Sequence, residues 1–113
     1  MKKVLLDENL PRPLKSYFSD QLIVTSVPDM GWQSKQNGEL LSAMSAQGIS
    51  YLLTADRNLR FQQNLSLHSI FVVVLVSCDT RLKSLIPHVE TIEQAILQHS
   101  EAGFIEIDIR PVK

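Results

Sequence analysis

The chain reads as an α/β domain on a mostly parallel sheet, and three observations predict it. Short apolar runs alternate with amphipathic stretches along the whole length, the pattern of successive βαβ units. Two of the runs, Ile49 to Thr54 and Ile70 to Val76, are apolar nearly throughout, as strands covered on both faces are. Two runs also end in acidic turns, Val4-Leu5-Leu6-Asp7-Glu8-Asn9 and Tyr51-Leu52-Leu53-Thr54-Ala55-Asp56-Arg57-Asn58. Ligands of a parallel sheet bind where its strands stop and the loops to the next helices open a crevice. Aspartates gathered at that edge would suit a hard divalent cation, which takes oxygen ligands from carboxylates and water.

The elements follow in order. Lys3 to Leu6 forms a first strand, and Leu10 to Phe18 a helix that tolerates Pro11 in its first turn and carries an apolar stripe of Leu10, Leu14, Tyr17 and Phe18. Gln21 to Ser26 is a second, shorter strand, and Val27-Pro28-Asp29-Met30-Gly31-Trp32 is loop-like. Asn37 can cap a helix from Gly38 to Gln47 that Gly48 ends, with Leu40, Leu41, Met44 and Ala43 on its buried face. After the third strand, Ile49 to Thr54, comes a short helix around Leu59 to Asn64, then the strongest strand signal, Ile70 to Val76. Asp79 or Thr80 caps a short turn with Leu82 and Leu85, and Pro87 restarts the chain. Val89 to His99 gives a final helix with Val89, Ile92, Ala95 and Ile96 inward. Ala102-Gly103 breaks it, and Phe104 to Ile109 alternates as a half-exposed edge strand does.

At 113 residues the chain holds one core and a single domain, 1–113. Its longest apolar run is strand-sized, well short of the roughly 18 residues that span a bilayer, so no membrane partner is expected. The basic and then apolar start, Met1 to Leu6, is cut off by Asp7 too early for a signal peptide, which makes the cytoplasm the expected compartment. A formal net charge of −1 argues against wholesale electrostatic capture of nucleic acid and leaves charge placement to decide. The one cysteine, Cys78, excludes an internal disulfide and a cysteine metal cluster, and it suits a small buried position at a strand end.

The segments Leu5-Leu6-Asp7-Glu8-Asn9-Leu10-Pro11, Asn37-Gly38-Glu39-Leu40-Leu41 and Leu53-Thr54-Ala55-Asp56-Arg57-Asn58-Leu59 together resemble the small bacterial PIN-like proteins, a compact branch of the PIN-domain nucleases. The likeness runs from Val4 to about Ile96. It implies a three-layer α/β/α sandwich with a doubly wound sheet whose acids hold Mg²⁺ or Mn²⁺ and hydrolyse RNA, as in the toxin ribonucleases of type II toxin–antitoxin modules. Asp7, Glu39 and Asp56 match the family's catalytic and metal-binding acids, with Glu8, Asn9, Asn37, Arg57 and Asn58 beside them as supporting or substrate-facing residues. PIN nucleases usually carry a fourth acid a few residues past the third, where this chain reads Arg57-Asn58-Leu59, so single-metal binding is implied more directly than two-metal cleavage. A cognate antitoxin protein and a homodimer through the Phe104 to Ile109 edge are the expected protein partners.

In such a site a divalent cation makes a nucleophile from water and offsets charge on the phosphoryl oxygens. Magnesium commonly takes one or two protein carboxylates along with substrate phosphate, so Asp7 and Asp56 suffice, with Glu39 completing the shell. Arg12, Lys15, Lys35, Arg57 and Arg60 lie in or just after loops leaving the same edge and suit contacts to an RNA backbone. Trp32 suits stacking on an unpaired base. The same residues have plainer uses: Asp7 and Asp56 as helix caps, Glu39 as a first-turn charge, Trp32 as a loop anchor, Asp79 as a cap, and Gln62-Gln63-Asn64 as exposed polarity. His68, His88 and His99 are expected in solvent, and neither a Gly-x-Ser-x-Gly elbow nor a glycine-rich phosphate loop is present. The alternative function is a catalytically silent PIN-like module that binds nucleic acid or regulates a protein partner.

Overall fold

The computed structural model describes residues 2–57 and 68–111. Its centre is an all-parallel sheet of β1 (Lys2–Leu6), β2 (Leu22–Ser26), β3 (Tyr51–Thr54), β4 (Phe71–Val76) and β5 (Gly103–Asp108), in the spatial order β2-β1-β3-β4-β5. The interior strands are buried on both faces because their side chains alternate between two cores. Val4, Leu6, Leu53, Val73 and Leu75 enter one, whereas Leu5, Leu52, Val72 and Val74 enter the other. The first core is closed by a 3₁₀ helix (Arg12–Tyr17), through Leu14, and by the later helices of the chain. The second is closed by α1 (Val27–Met30) and α2 (Asn37–Ala46), through Val27, Leu40, Leu41 and Met44. Helices on both faces of a parallel sheet give an α/β fold compatible with three layers.

Each departure from the sequence pattern has a local cause. The first helix starts at Arg12 and winds as 3₁₀, with Pro11 as its N-cap and a further proline in its first turn. Proline supplies no N–H, and a short 3₁₀ segment needs few. Tyr17 stands 49% exposed, so it leaves the expected apolar stripe, while Leu10 and Leu14 stay buried. The stretch expected to be a loop at Val27 instead forms α1, because the Ser26 hydroxyl accepts the Asp29 N–H and Gly31 ends the turn at φ +73°. The N-cap of α2 is Gln36, one residue before Asn37, in a reciprocal capping box with Glu39. The helix expected around Leu59 to Asn64 lies outside the described residues.

After β4 the chain forms α3 (Leu82–Leu85), a 3₁₀ turn (Ile86–His88) and α4 (Val89–Gln98). Val89, Ile92 and Ile96 are buried as their spacing requires, but so is Glu93. Both oxygens of its carboxylate are engaged: the Ser19 N–H and the Ser19 hydroxyl each donate to it at 2.7 Å, tying α4 to the turn before β2. Strand β5 is a sheet edge and alternates as expected, with Ile105 and Ile107 packed on the first core. Cys78 is exposed rather than buried, since β4 ends two residues earlier. No helix among the described residues is long and apolar enough to cross a membrane.

At the amino edge, Lys2 caps the C-terminus of α4. Its ammonium donates to the carbonyls of Ile96 at 3.0 Å, Leu97 at 3.2 Å and His99 at 2.7 Å, and lies 5.1 Å from the centre of the Tyr51 ring. A cation there complements the helix dipole and satisfies carbonyls that the helix cannot. His99 is correspondingly not a solvated residue: its ring stacks on Phe71 with centroids 4.5 Å apart. Lys2→Met keeps the aliphatic stem and removes the donors, and it should lower stability by about 1–3 kcal/mol, read as a lower urea midpoint at unchanged slope. An unchanged midpoint would show that the cap contributes nothing.

Candidate functional site

The sheet order makes β1 and β3 the switch point: the chain leaves β1 for β2 on one side and returns to β3 on the other, so the loops after β1 and β3 diverge and leave a crevice between them. Leu6 stands opposite Leu53, and the Asp7 N–H donates to the Leu53 carbonyl at 2.9 Å, which carries Asp7 to the end of β3. There the buried Thr54 hydroxyl organises the site. It donates to Asp7 Oδ2 at 2.7 Å and accepts from Asn9 Nδ2 at 3.2 Å and from the Asp56 N–H at 3.0 Å. Asn9 Oδ1 accepts the Ala55 N–H at 3.3 Å, and Asp7 Oδ1 accepts the Glu8 N–H at 2.9 Å. A hydroxyl has one donor and two acceptor positions, and all three are used.

The network joins Asp7, Asn9, Thr54 and the backbone of Asp56, so two of the three expected acids share the switch point. Glu39 takes a different position. Its Oε1 accepts the Gln36 N–H at 3.2 Å at the start of α2, the capping role that its place in the first turn also suited. Among the described residues no three His, Cys, Asp or Glu side chains are grouped so as to hold one metal ion. Glu8 is exposed beside Asp7, and Arg57 Nε lies 3.6 Å from Glu106 on β5. Asn58 and Arg60 lie outside the described residues, as does the side chain of Asn37.

The other basic residues are distributed unevenly. Arg12 and Lys15 both pair with the carboxylate of Asp29. Lys35 is exposed in the turn that its N–H closes onto the Trp32 carbonyl at 3.0 Å. Trp32 is half-buried and packs with Met30 on the second core, so it anchors the loop. Asp79 accepts the Arg81 N–H at 2.9 Å ahead of α3, and the Ser84 hydroxyl, then Arg81, hold its carboxyl below the usual range.

Sequence reasoning passed over Thr54 and Asp29. The signal for Thr54 was a hydroxyl following the apolar pair Leu52-Leu53 at the end of a buried strand, where a polar group must find partners. For Asp29 it was the Ser26-x-x-Asp29 spacing, which reads as a cap once the segment is allowed to be helical. The chain matches no protein-family model, no curated protein and no solved structure.

Two outcomes follow from this geometry. Thr54→Val leaves the Asp56 N–H and the Asn9 amide without their acceptor and should cost about 1–3 kcal/mol in denaturant unfolding, whereas Thr54→Ser should retain most of the stability. Equal stability of the valine and serine variants would remove the hydroxyl from the account. Lys15 first, then the Ser26 hydroxyl and Arg12, hold the Asp29 carboxyl down from 3.8 to about 2. Its ionised form therefore stabilises the fold above the unfolded value of 3.8, and that contribution is lost as pH falls towards 2. Carboxyl NMR titration should find Asp29 ionising well below the ordinary range and moving up in Lys15→Met; an ordinary midpoint in the unaltered chain would contradict the pairing.

Proposed function

We propose that the chain is a PIN-like, metal-dependent endoribonuclease working at the β1/β3 crevice, with Asp7 and Asp56 as its cation-holding acids. The observation that carries this reading is the fixed placement of Asp7 at the switch point, one hydroxyl away from the turn that bears Asp56. The donors fit Mg²⁺ or Mn²⁺ in kind. They are hard oxygens, and each oxygen of Asp7 accepts one hydrogen bond from Thr54 or Glu8, which leaves lone pairs on both. A bound divalent cation would supply an activated water and offset phosphoryl charge. The chain's own residues do the positioning: Thr54 sets the rotamer of Asp7, and Asn9 ties the loop after β1 to that after β3. Glu39 stays with the α2 cap, so the supported site has two acids.

The toxin role, a cognate antitoxin and a homodimer through the outer edge of β5 extend the same proposal. Because β5 is the partner of β4, deleting residues from Glu101 onward would strip an internal strand pairing as well as any association surface. The second reading, a catalytically silent module, is favoured by the engagement of Glu39 in its capping box.

Purified protein with Mg²⁺ or Mn²⁺ should cleave single-stranded RNA and stop on addition of chelator. Asp7→Asn and Asp56→Asn should each lower the rate by at least about a hundredfold while circular dichroism stays unchanged, since asparagine at position 7 can still accept from Thr54 and the bond from position 56 to Thr54 is made by the backbone N–H. RNA retained equally with and without metal, indifferent to both substitutions and uncleaved, would replace hydrolysis by the silent-binder reading.

A further inference from the structure

We infer that Arg12 and Lys15 form a two-cation fork for an RNA backbone phosphate, and that Asp29 holds this fork closed as an internal stand-in for the phosphate. The inference rests on the RNA reading above and adds a regulation of it. Four observations support it together.

The fork is prebuilt by the helix type. In a 3₁₀ helix, side chains at i and i+3 eclipse, so Arg12 and Lys15 leave one face together. Both reach a single carboxylate, Arg12 Nη2 to Oδ1 and Lys15 Nζ to Oδ2, the arrangement in which basic side chains also grip two oxygens of a phosphate. The backbone that carries this carboxylate is placed independently of them: α1 begins on the residue after β2, and the Asp29 N–H donates to the Ser26 hydroxyl at 3.2 Å. Finally, exposure is asymmetric. The side chain of Asp29 is 18% exposed, against 59% for Arg12 and 37% for Lys15. An anion arriving from solvent therefore meets the cations before it meets the carboxylate that repels it.

The location connects the fork to the proposed site. Asp29 follows the carboxyl end of β2, and β2 is the neighbour of β1, whose own end carries Asp7. Two cations less one carboxylate leave a net charge of one, so the closed fork binds phosphate weakly and the opened one strongly. Because the carboxyl ionises only near 2, acid in the ordinary range does not open the latch; competition by a polyanion or screening by salt does.

The test is binding of a short fluorescent single-stranded RNA, measured by anisotropy in chelator over a series of salt concentrations, so that cleavage plays no part. Asp29→Asn should tighten binding roughly threefold to tenfold at low salt, as removal of an exposed competing ion pair allows. Its log–log salt dependence should steepen by about 0.7, one further phosphate neutralised. Adding Arg12→Gln and Lys15→Gln to Asp29→Asn should abolish both changes. In the unaltered chain, RNA should shift the Arg12 side-chain N–H resonances, a readout that needs no substitution at Asp29.

Unchanged affinity and slope in a folded Asp29→Asn protein would overturn the inference. So would a gain that survives loss of both cations, or Arg12 resonances indifferent to RNA. A chain that shows the expected binding shifts yet fails to cleave with metal would keep the latch and lose the hydrolase.

Discussion

The pairing of β1 with β3 is the constraint on which the rest of the molecule depends. The chain builds β1, crosses to β2, and must then return past its starting strand to lay β3 on the free side. In the observed register, Leu5 against Leu52 and Leu6 against Leu53, the two strands send their apolar side chains into the same pair of cores. A slip of one residue would exchange every side chain between faces. The same register brings the Thr54 hydroxyl to Asp7 across 47 positions of sequence, so the apolar packing of the strand bodies and the polar closure of their ends are one event. The switch point is thus held by core packing, and the Asp7 carboxylate is oriented by it.

Much of this was readable in the sequence because it is local. Strand-length apolar runs, the alternation of Phe104 to Ile109, and the aspartates at strand ends are properties of short windows, and the strands fall within one or two residues of where those windows place them. What was not readable depends on partners distant in sequence. Glu93 looks like a solvent-facing helix residue until Ser19 is brought to it from the other side of the first core. His99 looks exposed until β4 supplies Phe71 as a stacking partner. Glu39 suits a ligand or a cap from its spacing alone, and the capping box with Gln36 shows the local use. The apolar spacing of Leu10, Leu14, Tyr17 and Phe18 suits an α-helix, whereas the segment, with prolines at positions 11 and 13, winds as 3₁₀.

The two ends of the sheet divide the labour. At the amino edge, Lys2, Tyr51, Phe71 and His99 close the C-terminus of α4, and the contacts there serve stability. The carboxyl edge carries paired charges: Arg12 and Lys15 with Asp29, Arg57 with Glu106, Arg81 with Asp79, and Arg110 with Asp108. Exposed pairs of this kind contribute little to folding. Under the proposed RNA reading their effect would be on recognition, since a polyanion approaching this edge must compete with carboxylates already in place. A nearly neutral chain can in this way present cations in a defined geometry without collecting nucleic acid indiscriminately.

The central claim is that Asp7 and Asp56, held at the β1/β3 switch point, are where a divalent cation binds, and that Glu39 takes no part. Titrating the ¹⁵N-labelled protein with Mn²⁺ tests this directly, because the paramagnetic ion broadens amide signals only in its neighbourhood. The account predicts that the signals of Asp7, Glu8, Thr54 and Asp56 broaden first while those of Gln36 and Glu39 persist, and that Asp7→Asn abolishes the effect. Broadening centred on α2, or none that follows Asp7, would contradict it.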